Sequence, residues 1–171
     1  MRFPVCLPSR AGLLGKGWSA VLATTLTFLC FGCIIQAQAQ VINWKTDFAQ
    51  AKAAAAESKR FILLDFTGSD WCPWCVRMDK EVLERPAFAD FAAKHLVLVK
   101  LDFPRSKPQP AAEKVQNGQL AQKFRIQGYP TYVLLDSSGN EVRRQEGYLP
   151  GGPMEFMRWM DLPTPAADRV R

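Results

Sequence analysis

The sequence predicts an α/β domain: a central mixed sheet of about four to five strands flanked by helices. Three observations carry this. Phe61–Phe66 (FILLDF), Leu96–Asp102 (LVLVKLD) and Thr131–Asp136 (TYVLLD) are short, nearly continuous apolar runs of strand length. Continuity rather than alternation marks a strand covered on both faces. The segments between them have helical composition and helical start signals, so helices lie on both faces of the sheet.

Taken in order, Thr46–Arg60 (TDFAQAKAAAAESKR) is Ala-rich, opens on a capping Thr and an Asp, and ends on Lys59-Arg60, charges that suit the two ends of a helix dipole. The first strand, Phe61–Phe66, is broken by Thr67-Gly68-Ser69. Pro73 can open the next helix, because its missing N–H would be unpaired in the first turn anyway. That helix is expected to run to about Glu84, and Pro86 to restart it through Lys94. Leu96–Asp102 is the second strand. Pro104 to Gln119 holds three prolines and several polar residues and reads as a loop inserted near the site. A short helix over Leu120–Phe124 follows, then the strand Thr131–Asp136. The turn Ser137-Ser138-Gly139-Asn140 makes a hairpin with Glu141–Tyr148. Met154, Phe156, Met157, Trp159 and Met160 give Gly152–Asp161 the apolar content of a closing helix.

The ends differ from this domain. Arg2, Arg10 and Lys16 are the only charges before Lys45, the 18 residues Trp18–Ile35 are uncharged, and Ala37-Gln38-Ala39 follows. A basic start, an apolar stretch and a small-x-small site predict a signal peptide over residues 1–39, cut after Ala39. An 18-residue apolar run also just spans a bilayer, so an uncleaved anchor is the alternative. Cys33 follows Gly32, but Cys30-Phe31 before it does not resemble a lipoprotein site. The domain is expected over residues 40–162, with a Pro- and Ala-rich flexible tail over 163–171. Removing the three basic residues of the leader leaves 19 Lys and Arg against 16 Asp and Glu, a net charge of +3 instead of +6. No concentrated basic face is visible, which argues against a nucleic-acid partner.

Cys6, Cys30 and Cys33 leave with the leader, so only Cys72 and Cys75 remain. A disulfide closing four residues constrains almost nothing in the unfolded chain, since the entropic gain grows with loop length. As a staple it is nearly useless; as a reagent it makes sense. A C-x-x-C placed after a strand and at a helix start meets free N–H groups and the positive end of the helix dipole, which stabilise a thiolate on the first cysteine. Cys72 is then the attacking nucleophile. Cys75, one turn on, resolves the mixed disulfide. Zinc needs four ligands, whereas His95, beside the strand at Leu96, is the one histidine. No metal and no cofactor is expected. Val76 stands where a haem-attachment motif has histidine.

Leu64-Asp65-Phe66, Trp71-Cys72-Pro73-Trp74-Cys75 and, some 55 residues later, Gly128-Tyr129-Pro130-Thr131 together resemble the thioredoxin family, in particular its exported members. The resemblance covers about Val41 to Asp161 and implies a thioredoxin-like fold. It implies that Pro130 is a cis-proline facing the redox pair, with the backbone of Tyr129 exposed for strand-like pairing with a substrate peptide. Trp71, Pro73, Trp74, Tyr129 and Pro130 are therefore the candidate substrate-binding residues, although Trp71 is equally readable as core. Asp65 matches the buried carboxylate that moves a proton to or from the resolving cysteine; its other reading is a strand-end polar residue. Seven positions separate Asp65 from Cys72 where many thioredoxins have six, so the extra residue falls within Thr67–Asp70. Asp70 competes for the carboxylate role and otherwise serves the loop as a capping residue.

The resemblance implies an exported thiol–disulfide oxidoreductase, periplasmic or extracellular, acting on protein thiols and disulfides. The reducing direction is slightly favoured, because no long helical insertion interrupts the pattern. An exported reductase needs a membrane-bound electron donor, since its compartment is oxidising. An oxidase or isomerase, with a membrane-bound acceptor in the oxidase case, is the alternative. So is a non-catalytic, chaperone-like module holding peptides near Tyr129-Pro130, which an insulin-reduction assay would separate from an enzyme. Contact with a membrane is expected only if the N-terminal segment is an uncleaved anchor.

Overall fold

The computed structural model describes residues 42–162. The expected leader, its cleavage after Ala39, the alternative anchor and the 163–171 tail all lie outside the described residues. Trp44–Lys45 (β1) is a two-residue strand that the sequence did not announce. The first helix is Phe48–Ser58 (α1), two residues shorter at each end than expected. Its cap is Asp47, not Thr46: the Asp47 carboxylate accepts the Gln50 amide at 2.9 Å. Lys59 adopts a left-handed conformation, φ 57°, and ends the helix. Arg60 has left it, and donates to the Ala93 and Leu96 carbonyls across the fold.

Phe61–Thr67 (β2) and Leu96–Asp102 (β3) pair in parallel and in register along seven residues. Between them lie Pro73–Met78 (α2), a π-helical turn over Asp79–Leu83, and Pro86–His95 (α3). The expected single helix to Glu84 is therefore α-helical only as far as Met78, and continues as the wider π turn. Ala111–Lys123 (α4) corrects the reading of 104–119 as a loop. The three prolines do punctuate the chain, but the last of them, Pro110, is the residue from which the helix starts. Thr131–Leu135 (β4) and Glu141–Glu146 (β5) form the expected hairpin, and Gly152–Met160 (α5) closes the domain.

The sheet order is β1-β3-β2-β4-β5. β4 and β5 run antiparallel to their neighbours, and β1, β2 and β3 are mutually parallel. Strand alternation splits the interior into two layers. Ile62, Leu64, Phe66, Val97, Val99, Leu101, Val133 and Leu135 pack against Ala51 and Ala55 of α1 and Leu120 and Phe124 after or within α4. Leu63, Leu98, Tyr132 and Leu134 face Met78, Val82, Leu83, Phe88, Phe156 and Met160 of α2, the π turn, α3 and α5. This second layer also carries the polar row of the sheet, and α2 begins above its C-terminal end.

Candidate active site

The turn that leaves β2 is held by its own backbone. Gly68 O accepts the Cys72 amide at 2.9 Å and the Trp71 amide at 3.3 Å. A Cβ on Gly68 would come 2.4 Å from Trp71 Cε2, so the indole needs glycine there. Trp71 Nε1 donates to Phe103 O at 2.7 Å. The ring meets Tyr129 edge-on, with centroids 5.6 Å apart, and carries the Arg105 guanidinium 3.9 Å from its centroid. Asp102 at the end of β3 takes both the amide and the hydroxyl of Ser69, at 2.9 and 2.6 Å. Asp70 accepts the amides of Arg105, Ser106 and Lys107. These bonds to the anion lower its proton affinity. The extra residue of this turn is thus taken up in joining it to the segment after β3, and Asp70 is the capping residue of that join.

Cys72 is the N-cap of α2 and Pro73 its first residue. Cys72 and Cys75 form a disulfide with Cα atoms 5.3 Å apart, and Cys72 Sγ accepts the Cys75 amide at 3.2 Å. Both cysteines are buried, 4% and 1% exposed. Trp74 between them is 52% exposed. Its ring lies 5.5 Å from Tyr148, over which the Arg77 guanidinium sits at 4.4 Å. The Tyr148 hydroxyl in turn donates to Glu81. The Tyr129–Pro130 peptide is cis. Pro130 O accepts the Gly147 amide at 2.8 Å, and the Tyr129 ring packs between Trp71 and Phe103.

Asp65 lies on β2 between Lys100 of β3 and Tyr132 of β4, its partners in register on either side. It is fully buried, and among the described residues neither carboxylate oxygen has a hydrogen-bond partner. The Lys100 ammonium stands 4.0 Å from Oδ2. Burial pushes the Asp65 carboxyl up to about 8; Lys100 opposes this, and Asp79 and Asp102 reinforce it. Asp79, hydrogen-bonded to the same lysine, is also raised by burial. The Tyr132 phenol is held well above its usual range for the same reason, with Asp65 and Asp79 adding to the effect. His95 ends α3 against the Phe91 ring, at 4.7 Å. Among the described residues no group of three or more His, Cys, Asp or Glu side chains is placed to hold a metal.

A buried cysteine pair at a helix start, with the flanking Trp71 packed on Tyr129 of the cis-proline loop, invites comparison with known proteins. A family model described as a thioredoxin-like domain matches residues 48–162. The chain belongs to the thioredoxin-like family. It is 35% identical over 116 residues to "Disulfide bond reductase DsbH" of Chlamydia pneumoniae, covering 68% of this chain and 69% of that one. It is 32% identical over 127 residues to "Thioredoxin-related protein DsbJ" of the same organism, spanning 72% of this chain but only 36% of that one. A solved structure titled "DsbH Oxidoreductase" superposes with a TM-score of 0.67 at 32% identity, over 72% of this chain and 85% of that one. This thioredoxin-like protein is a thiol–disulfide oxidoreductase built on a Cys-x-x-Cys pair, with a five-stranded mixed sheet flanked by helices.

Of the candidate residues, Trp71 and Tyr129 touch each other, and Cys72 and Cys75 are bonded. Trp74 faces Tyr148 instead. Asp65 is joined to a group that sequence reasoning missed: Lys100, Asp79 and Tyr132. One signal was available for Lys100. β2 and β3 are both seven-residue runs with a charge at the fifth place, Asp65 in one and Lys100 in the other (β3 also ends on Asp102), and parallel in-register pairing sets the two side by side.

Proposed function

We propose that this protein is an exported reductase of protein disulfides, made with a leader cut after Ala39 and re-reduced by a membrane-bound dithiol donor. In this reading Cys72 attacks as a thiolate. One sulfur of the substrate disulfide bonds to Cys72 Sγ, and the other leaves as a thiolate that takes a proton from water. The Cys75 thiol then gives its proton to the Asp65 carboxylate and attacks Cys72 Sγ. The Cys72–Cys75 disulfide forms and the second substrate sulfur is released. The two electrons gained by the substrate are those lost by the enzyme dithiol, which the donor must restore. Trp71, Pro73, Trp74, Tyr129 and Pro130 line the contact with the substrate peptide.

The observation that carries the division of labour is the Cys75 amide donating to Cys72 Sγ at 3.2 Å. A sulfur that accepts an amide at a helix start keeps that donor as a thiolate, which lowers its proton affinity. Cys75, within the turn and 1% exposed, accepts no such donor among the described residues and suits the resolving role. The reducing direction is supported by the similarity to a protein named a disulfide bond reductase. Among the described residues no helix is long and apolar enough to cross a membrane, so a membrane-bound donor would be a separate protein or reach the site from elsewhere in the chain.

The test is a trapping experiment in an exporting cell. Cys75→Ser should accumulate reductant-sensitive, high-mass complexes on non-reducing gels, and Cys72→Ser should accumulate none. Trapping by Cys72→Ser alone would reverse the assignment. Acid-quenched thiol labelling of the unmutated protein should find mainly the dithiol form. A wholly oxidised steady state would sink the reducing direction.

A further inference from the structure

Lys100 stands between two buried or half-buried carboxylates and does not share itself equally. Its ammonium lies 3.3 and 3.4 Å from the two oxygens of Asp79 but 4.0 Å from Asp65 Oδ2. Asp79 is placed there by the redox helix itself. It is the residue at which α2 passes into the π turn, and its amide bonds to the carbonyls of Cys75 and Val76. π turns of this kind recur at functional sites because the extra residue re-aims a side chain. The Trp44 ring of β1 also lies on the ammonium, 5.3 Å from centroid to Nζ. Among the described residues, every hydrogen bond from Lys100 to a carboxylate goes to Asp79, and Asp65 is left with none.

We propose that Asp79 is a positioning residue for Asp65: by keeping the Lys100 ammonium on its own carboxylate, it leaves Asp65 without a donor and therefore able to bind and release a proton near neutral pH. This rests on the reading of Asp65 as the proton carrier in disulfide exchange. The physical reason is that a buried carboxylate without a donor is costly and takes up a proton, whereas one holding an ammonium stays ionised. Were Lys100 bonded to Asp65, that carboxyl would remain an anion through neutral pH. The groups facing Asp65 are Lys100 and Asp102 of β3, Asp79 of the π turn and Tyr132 of β4. Glu84, just after the π turn, acts on Asp79 together with Asp102. Of these only Lys100 favours the Asp65 anion, while the charges of Asp79 and Asp102 oppose it, so Asp79 acts on Asp65 both directly and through the place of that one cation. The Asp79–Lys100 contact also ties the π turn to the sheet, and a tie alone would leave the titration of Asp65 unmoved.

The deciding measurement is 13C NMR titration of the aspartate side-chain carboxyls in the oxidised protein, with the Asp65 signal assigned by its loss in Asp65→Asn. In the isosteric Asp79→Asn variant the Asp65 midpoint should fall by about one pH unit or more, a tenfold loss of proton affinity. An unchanged midpoint overturns the proposal. Asp79→Asn, or Asp79→Ser should that variant fail to fold, made on a Lys100→Met background should lower the Asp65 midpoint far less than in the unmutated chain; an equal fall in both backgrounds means that Asp79 acts by its own charge alone and overturns the proposal equally. The proton-carrier reading fails separately. If Asp65→Asn keeps normal turnover and pH profile while Asp79→Asn still lowers the Asp65 midpoint, Asp79 has the positioning effect and the carrier lies elsewhere.

Discussion

The same three strands present two unlike faces. Toward α1 and α4 they offer Ile62, Leu64, Phe66, Val97, Val99, Leu101, Val133 and Leu135, with the uncharged Thr131 at the start of β4, its hydroxyl bonded to Gly128 O, as the polar exception. Toward α2, the π turn, α3 and α5 they offer Leu63, Leu98 and Leu134, but also the row Lys100, Asp65 and Tyr132. Since alternate residues of a strand point to opposite faces, neighbours in sequence serve different ends. The apolar face, which holds no charge, stabilises the domain chiefly by burial. The other face places an unpartnered carboxylate in the interior below the redox helix, an arrangement that costs stability and yields a group able to exchange protons. One strand thus combines a stabilising and a destabilising surface, one residue apart.

Leu64 and Asp65 are the sharpest place to test that contrast. Leu64→Ala leaves a cavity in the fully buried apolar layer and should lower unfolding free energy by about 3–5 kcal/mol. Urea denaturation checks this, while turnover per folded molecule should stay near normal. Asp65→Asn should act with the opposite sign. The folded carboxyl titrates near 8, far above an ordinary aspartate. A raised carboxyl stabilises fully at pH below its unfolded value and loses that contribution as pH climbs toward its folded value. Asp65→Asn should therefore match the wild type at about pH 3 and exceed it increasingly up to about pH 8. The gain should be on the order of 5 kcal/mol at pH 9, read from thermal melts across pH, with slower turnover. Equal stability of the two at pH 9 would erase the distinction between the faces. The smallest effect belongs to Asp47, whose carboxylate caps α1 on the apolar side. Asp47→Ala should cost about 1 kcal/mol without a change in turnover.

Much of the apolar face was legible because continuous runs such as Leu96–Val99 admit few other readings. The two-residue β1 carries no period and could not be read at all. The sequence of α4 reads as loop because Pro104, Pro108 and Pro110 dominate its approach and it supplies few buried residues, chiefly Asn117 and Leu120. The redox pair was legible because its chemistry depends on spacing along one chain segment. The environment of Asp65 was not, because Lys100 and Tyr132 reach it only through the register of β2 with β3 and β4, and Asp79 only through the π turn. Local chemistry survives reading in one dimension; cross-strand electrostatics requires the pairing.

The two margins of the sheet have a consequence for how the molecule tolerates company. At one margin lies β1, with two residues; at the other lies β5, where Glu141, Arg143, Arg144 and Glu146 make up four of six positions. A bare strand with an apolar side chain at every second place is a template on which another chain can zip up. One too short to align a partner, and one lined with charges of both signs, are poor templates. Each flank of the domain thus presents a neighbouring chain with a strand that is either very short or charged.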